Sequence, residues 1–77
     1  MEKDLVEYIV KSLVDDPASV NIAVIEGEKS TILELRVAPG DIGKVIGKHG
    51  RIAKAIRTVL QAATARGGRH TVLEILD

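Results

Sequence analysis

Val45-Ile46-Gly47-Lys48-His49-Gly50-Arg51-Ile52 is the stretch that decides how the rest of the chain is arranged. Two glycines bracket two polar residues, an aliphatic pair runs into the bend, and an aliphatic residue follows two positions after it. Glycine at both ends of so short a loop lets the backbone turn sharply and lets a ligand approach without meeting a Cβ atom. On its own, Gly-x-x-Gly describes any tight turn between helices, so its weight depends on what flanks it.

Upstream, Pro39-Gly40 breaks the chain and Asp41 has the chemistry of an N-cap for a short helix over 42–46. Downstream, Ile52, Ile56, Val59, Leu60 and Ala63 recur at helical spacing from Arg51, with Lys54, Arg57 and Gln61 on the other side. This long helix is expected to stop near Arg66-Gly67-Gly68, where glycine takes the left-handed backbone of a helix end. The loop thus joins two helices. Farther out, Leu5, Val6, Ile9, Val10, Leu13 and Val14 paint one wide apolar stripe, which predicts a first helix over 3–14, stopped by Asp15-Asp16-Pro17. Period-two alternation predicts strands over 20–26 and 31–37, joined as a hairpin by Gly27-Glu28-Lys29-Ser30, and a third strand over 70–76. The order is α-β-β-α-α-β. The expected fold is therefore α+β, a three-stranded sheet with helices packed on one face, with residues 1–77 forming one domain and no linker or repeat.

Nine Val, nine Ile and seven Leu supply an aliphatic core, and Tyr8 is the sole aromatic residue. A chain of this size hides only about 60% of its unfolded surface, so the stability margin is thin. There is no cysteine, which excludes disulfides and thiolate metal sites and fits a reducing, cytoplasmic setting; no apolar run approaches the roughly 20 residues that cross a bilayer. Net charge is zero, yet its distribution is uneven. Lys44, Lys48, Arg51, Lys54, Arg57, Arg66 and Arg69 are seven basic residues over 44–69 with no acid among them, against four basic and eleven acidic residues elsewhere. Such a field directs one side of a neutral molecule toward a polyanion.

Other chemistries find less support. Between Gly43 and Gly47 lie three residues where a P-loop needs four, and His49 stands where that loop needs Ser or Thr. Asp15-Asp16 beside Pro17 reads as a solvated helix stop, His49 at a loop tip has no Cys, Ser or carboxylate partner close in sequence, and His70 at a strand edge reads as structural or exposed. No enzyme activity, metal or cofactor is expected.

With the apolar pair, Gly47-Lys48-His49-Gly50 and Ile52 in place between two helices, the sequence resembles the KH family, whose loop of this pattern clamps a short run of RNA backbone. Two strands before the helix pair and one after it match the type II KH fold. Over essentially the whole chain it is similar to the KhpA (YlqC-type) family of small bacterial single-KH-domain RNA-binding proteins. The resemblance implies an RNA chaperone or post-transcriptional regulator that binds single-stranded RNA. It also implies pairing as a homodimer or with a larger KH protein of the Jag type, a link to cell elongation, division and wall biogenesis, and no membrane role. On this basis Gly47 and Gly50 shape the loop, while Lys44, Lys48, His49, Arg51 and Lys54 are expected to contact RNA. Ile42, Val45, Ile46 and Ile52 form an apolar floor for bases, and Arg66 and Arg69 are secondary contacts. Ile25 and Ile32, on strand faces opposite the main apolar sets, are candidates for a pairing surface. Both loop glycines are expected to accept carboxylates, as surface positions do. The competing function is a protein-interaction adaptor that uses the same fold to dock a partner KH protein.

Overall fold

The structure is a computed structural model that describes residues 2–65 and 70–76. Helix α1 spans Glu2–Leu13, with Glu2 and Asp4 in its first turn and Lys11 in its last, each sign matched to its end of the helix dipole. Its stripe buries Val6 and Val10. The chain then turns through a 3-10 segment, Pro17–Ser19, in which Ser19 Oγ donates to the Asp16 carboxylate at 2.6 Å.

Strands β1 (Asn21–Glu26) and β2 (Ser30–Arg36) form an antiparallel hairpin in which Ile22 faces Leu35 and Val24 faces Leu33. The Gly27 N–H donates to the Ser30 carbonyl at 2.8 Å and closes the turn. After β2 come a 3-10 turn at Pro39–Asp41, helix α2 (Ile42–Ile46), a second tight turn at Lys48–Gly50 and helix α3 (Arg51–Thr64). Strand β3 (His70–Ile75) then pairs parallel to β2, so the sheet order is β1-β2-β3. Parallel pairing needs a crossover, and the helix pair supplies it. The expected stop of α3 at Arg66-Gly67-Gly68 lies outside the described residues.

The α+β architecture and element order match the sequence expectation. Val6, Val10, Ile22, Leu33, Leu35, Val45, Ile56, Leu60 and Leu73 form one aliphatic core between the sheet and the helices, and Tyr8 stays 75% exposed outside it. The helix layer covers the sheet unevenly. Of β1 only Ile22 is buried, while Val24 on the same face is 44% exposed, because β1 is an edge strand and the helices close over only one end of it. On the opposite face, Ile25, Ile32 and Val72 lie side by side in register, with Ile25 exposed and the other two half-buried.

Candidate nucleic-acid interface

Helix α2 ends where the Gly47 N–H donates to the Gly43 carbonyl at 2.8 Å, and Gly47 then takes φ 77°, ψ 169°. That region of backbone space is essentially reserved for glycine. A Cβ at Gly47 would sit 2.5 Å from Ile52 Cγ1 and 2.9 Å from its Cβ and Cδ1, so the loop is seated directly on the Ile52 side chain. His49 follows at φ 60° and Gly50 at φ 72°, two successive left-handed residues that return the chain into α3. A Cβ at Gly50 meets nothing within 4 Å. The two glycines are thus unequal: Gly47 is locked by packing and backbone together, Gly50 by backbone alone. The expectation that both accept carboxylates fails at Gly47.

Helix α3 starts without a side-chain cap. The Gly50 N–H donates to the Gly47 carbonyl at 3.0 Å and the Arg51 N–H to that of Lys48, so what α3 turns toward the exposed loop is the positive end of its dipole, which favours an anion. Lys48, Arg51 and Lys54 are exposed, and none has an ion-pair partner among the described residues; Arg51 and Lys54 share one helix face at spacing i, i+3. His49 is exposed at the loop tip. Loop backbone, helix start and three cations without an ion-pair partner among the described residues thus adjoin one another along 47–54.

Two sequence candidates are placed differently. Val45 is completely buried in the core and cannot form part of a floor for bases: in so short a helix the inward side chain has no outward share. Ile46, 36% exposed, is the accessible member of the pair, with Ile42 and Ile52 half-buried beside it. Lys44 turns away from the loop, its Nζ lying 3.0 Å from Asp15 Oδ2 and 3.5 Å from Asp41 Oδ1. Arg57 is engaged too. Its Nε and Nη2 donate to the Leu73 carbonyl, both at 3.3 Å, and Gln61 Nε2 donates to the Thr71 carbonyl at 3.2 Å, so α3 covers the outer edge of β3. Arg66 and Arg69 lie outside the described residues.

The family model described as KhpA/KhpB, KH domain matches residues 3–75. The chain belongs to that family. Among its KhpA relatives, the RNA-binding protein KhpA of Borreliella burgdorferi is 62% identical over 76 residues, covering 99% of this chain and 93% of the relative. Proteins of the same name from Clostridium acetobutylicum and Aquifex aeolicus are 58% and 53% identical, over 96% and 97% of this chain and 99% and 95% of their own lengths. No solved structure matches the chain.

Within this KH domain, two features escaped sequence reasoning. Ile9 and Leu13 of α1 and Ile52, Ala55, Ile56 and Val59 of α3 line an apolar groove of about 320 Å³ that begins at Arg51. Val59 is 46% exposed there, whereas its helical spacing places it with the core set; the small Ala55 opens the groove. The second feature is Asp41. Its predicted cap is absent, because the 3-10 turn gives it φ −104°, ψ −7° instead of the extended backbone of an N-cap. The carboxylate instead accepts the N–H of Asp15 at 3.2 Å and of Asp16 at 3.0 Å.

Burial pushes the Asp41 carboxyl up, but those two N–H bonds and the Lys44 ammonium outweigh it and hold the group below its ordinary value. In turn Asp15, by hydrogen bond and charge, and Asp41 raise Lys44. A folded-state value below the unfolded one means that the carboxylate stabilises the fold above the unfolded value, and that this contribution disappears as pH falls through the folded one. Below about pH 4, the melting temperature is therefore expected to fall more steeply for the wild type than for Asp41→Asn. Parallel acid limbs in thermal melts would contradict this.

Proposed function

We propose that this chain binds short single-stranded RNA through Gly47–Gly50, as a cytoplasmic RNA chaperone or post-transcriptional regulator. The carrying observation is the meeting of a glycine-flanked loop, the positive dipole end of α3 and the exposed cations Lys48, Arg51 and Lys54, which have no ion-pair partner among the described residues. The loop backbone and these cations hold phosphates, His49 supplies a further polar contact, and Ile42, Ile46 and Ile52 offer apolar surface to bases. The name RNA-binding protein KhpA, carried by relatives that align over nearly their full length, supports RNA over a purely protein-docking role. Lys48→Gln with Arg51→Gln tests the assignment by fluorescence anisotropy on a labelled ten-nucleotide uridine RNA. The double variant is expected to weaken all RNAs alike and to lower the slope of log affinity against log salt by about 1.4, since each single-strand phosphate contact contributes about 0.7. An unchanged slope rejects these residues as phosphate ligands.

Tyr8, the one aromatic residue, lies on α1 and not in the loop, so about 1–3 kcal/mol per stacked base is missing and one copy binds modestly. Pairing multiplies weak sites. The row Ile25, Ile32 and Val72 on the open sheet face is the surface we assign to such pairing, with a second copy or with the larger Jag-type KH protein that the resemblance implies. Sedimentation velocity at about 100 μM should show a dimer that Ile25→Lys dissociates. A monomer, or a dimer lost only when Val59 in the α1/α3 groove is changed to Lys, removes the sheet face from this role.

A further inference from the structure

Asp41 is 3% exposed, and its partners tie together two parts of the chain that are remote in sequence. Its carboxylate accepts the Asp15 and Asp16 N–H groups in the turn after α1 and contacts Lys44, which reaches on to Asp15 at 3.0 Å. Asp41 immediately precedes α2, and α2 runs directly into Gly47. A helix of five residues between two 3-10 turns has little stability of its own, so its orientation depends on what anchors it. One anchor is apolar, the buried Val45; the other is this carboxylate. We infer that Asp41 is a positioning residue which, with Lys44, staples the loop-bearing helix α2 to the turn after α1 and so fixes where the loop presents its backbone to RNA.

The staple also assigns Lys44 a role. A lysine one helical turn before the loop looks from the sequence like a phosphate ligand, yet Asp15 and Asp41 already neutralise it. The charged groups around the Asp41 carboxylate are Lys44 from α2 and Asp15 and Asp16 from the turn. Neither an amide nor a neutral side chain substitutes here. In Asp41→Asn, one of the two accepting oxygens becomes an NH2 facing a backbone N–H, donor against donor.

This inference rests on the RNA-binding function proposed above, and the experiment separates the two. Salt-dependent binding of the same uridine RNA is measured for wild type, Lys44→Gln, Lys48→Gln and Asp41→Asn, alongside amide NMR spectra of each at a temperature where all are folded. Lys44→Gln is expected to keep the wild-type salt slope, while Lys48→Gln lowers it by about 0.7. Asp41→Asn is expected to weaken binding roughly tenfold at every salt concentration, a change of about 1.4 kcal/mol, with displaced Gly47 and Gly50 amide resonances and an unchanged slope. A Lys44→Gln slope reduced as much as that of Lys48→Gln overturns the inference, and so do unmoved loop resonances in Asp41→Asn. Should the wild type bind no RNA, the functional assignment fails by itself, and the loop resonances still decide whether the staple exists.

Discussion

Gly47→Ala is expected to destabilise the fold by about 2–5 kcal/mol and to remove the binding loop with it, whereas Gly50→Ala costs about 1–2 kcal/mol. At Gly47 two penalties coincide. The backbone at φ 77°, ψ 169° is closed to side chains, and the new methyl would overlap Ile52 Cγ1 at 2.5 Å. At Gly50 only the left-handed backbone counts, since a Cβ there points into open space. Urea unfolding of the two variants measures the difference. The clash component is separable: Ile52→Ala removes Cγ1 and Cδ1 and leaves only the Cβ at 2.9 Å, so Gly47→Ala in that background is expected to cost less than in the wild type, a coupling of about 1 kcal/mol or more. Equal effects at the two glycines, or strict additivity with Ile52→Ala, would show that the loop is not seated on Ile52.

That asymmetry is invisible in the sequence, where Gly47 and Gly50 are the same letter in the same motif. What was legible is what local chemistry decides. Pro39-Gly40 and Gly47 bound α2 so tightly that 42–46 is both the expected and the observed helix. The strand periods and the helical stripes place eight of the nine core-cluster residues within elements whose bounds shift by only a residue or so. The ninth, Val45, shows why the rest was harder. In a five-residue helix, adjacent aliphatics carry no readable period, and only the position of the sheet decides that Val45 is inside and Ile46 outside. The charged residues fail for a related reason: Lys44, Lys48, Arg51, Lys54 and Arg57 form one acid-free tract in sequence. In space Lys44 meets Asp15 and Asp41, and Arg57 meets the carbonyl of Leu73. Asp15 and Leu73 come from distant segments, so the effective positive surface is smaller than the tract suggests and is focused on Lys48, Arg51 and Lys54.

Unlike Gly47→Ala, Lys48→Asp with His49→Asp is expected to weaken RNA binding strongly while leaving stability within about 0.5 kcal/mol of the wild type. Both side chains are exposed, so neither supports the core. The His49 backbone, at φ 60°, ψ 22°, is left-handed, and Asp tolerates that conformation better than most residues do. The electrostatic change is large because it combines loss with repulsion. One phosphate contact disappears, and two carboxylates take up positions beside the RNA backbone, where like charges about 4 Å apart cost about 1 kcal/mol each in water and more against a protein surface. A total near 3 kcal/mol corresponds to roughly a hundredfold loss of affinity. The repulsion is screened, so the deficit should shrink as salt rises. Anisotropy titrations at about 50 and 300 mM salt, run beside thermal melts, distinguish this from misfolding. If affinity survives in a folded double variant, phosphates do not pass over the loop, and the three cations around it serve another ligand.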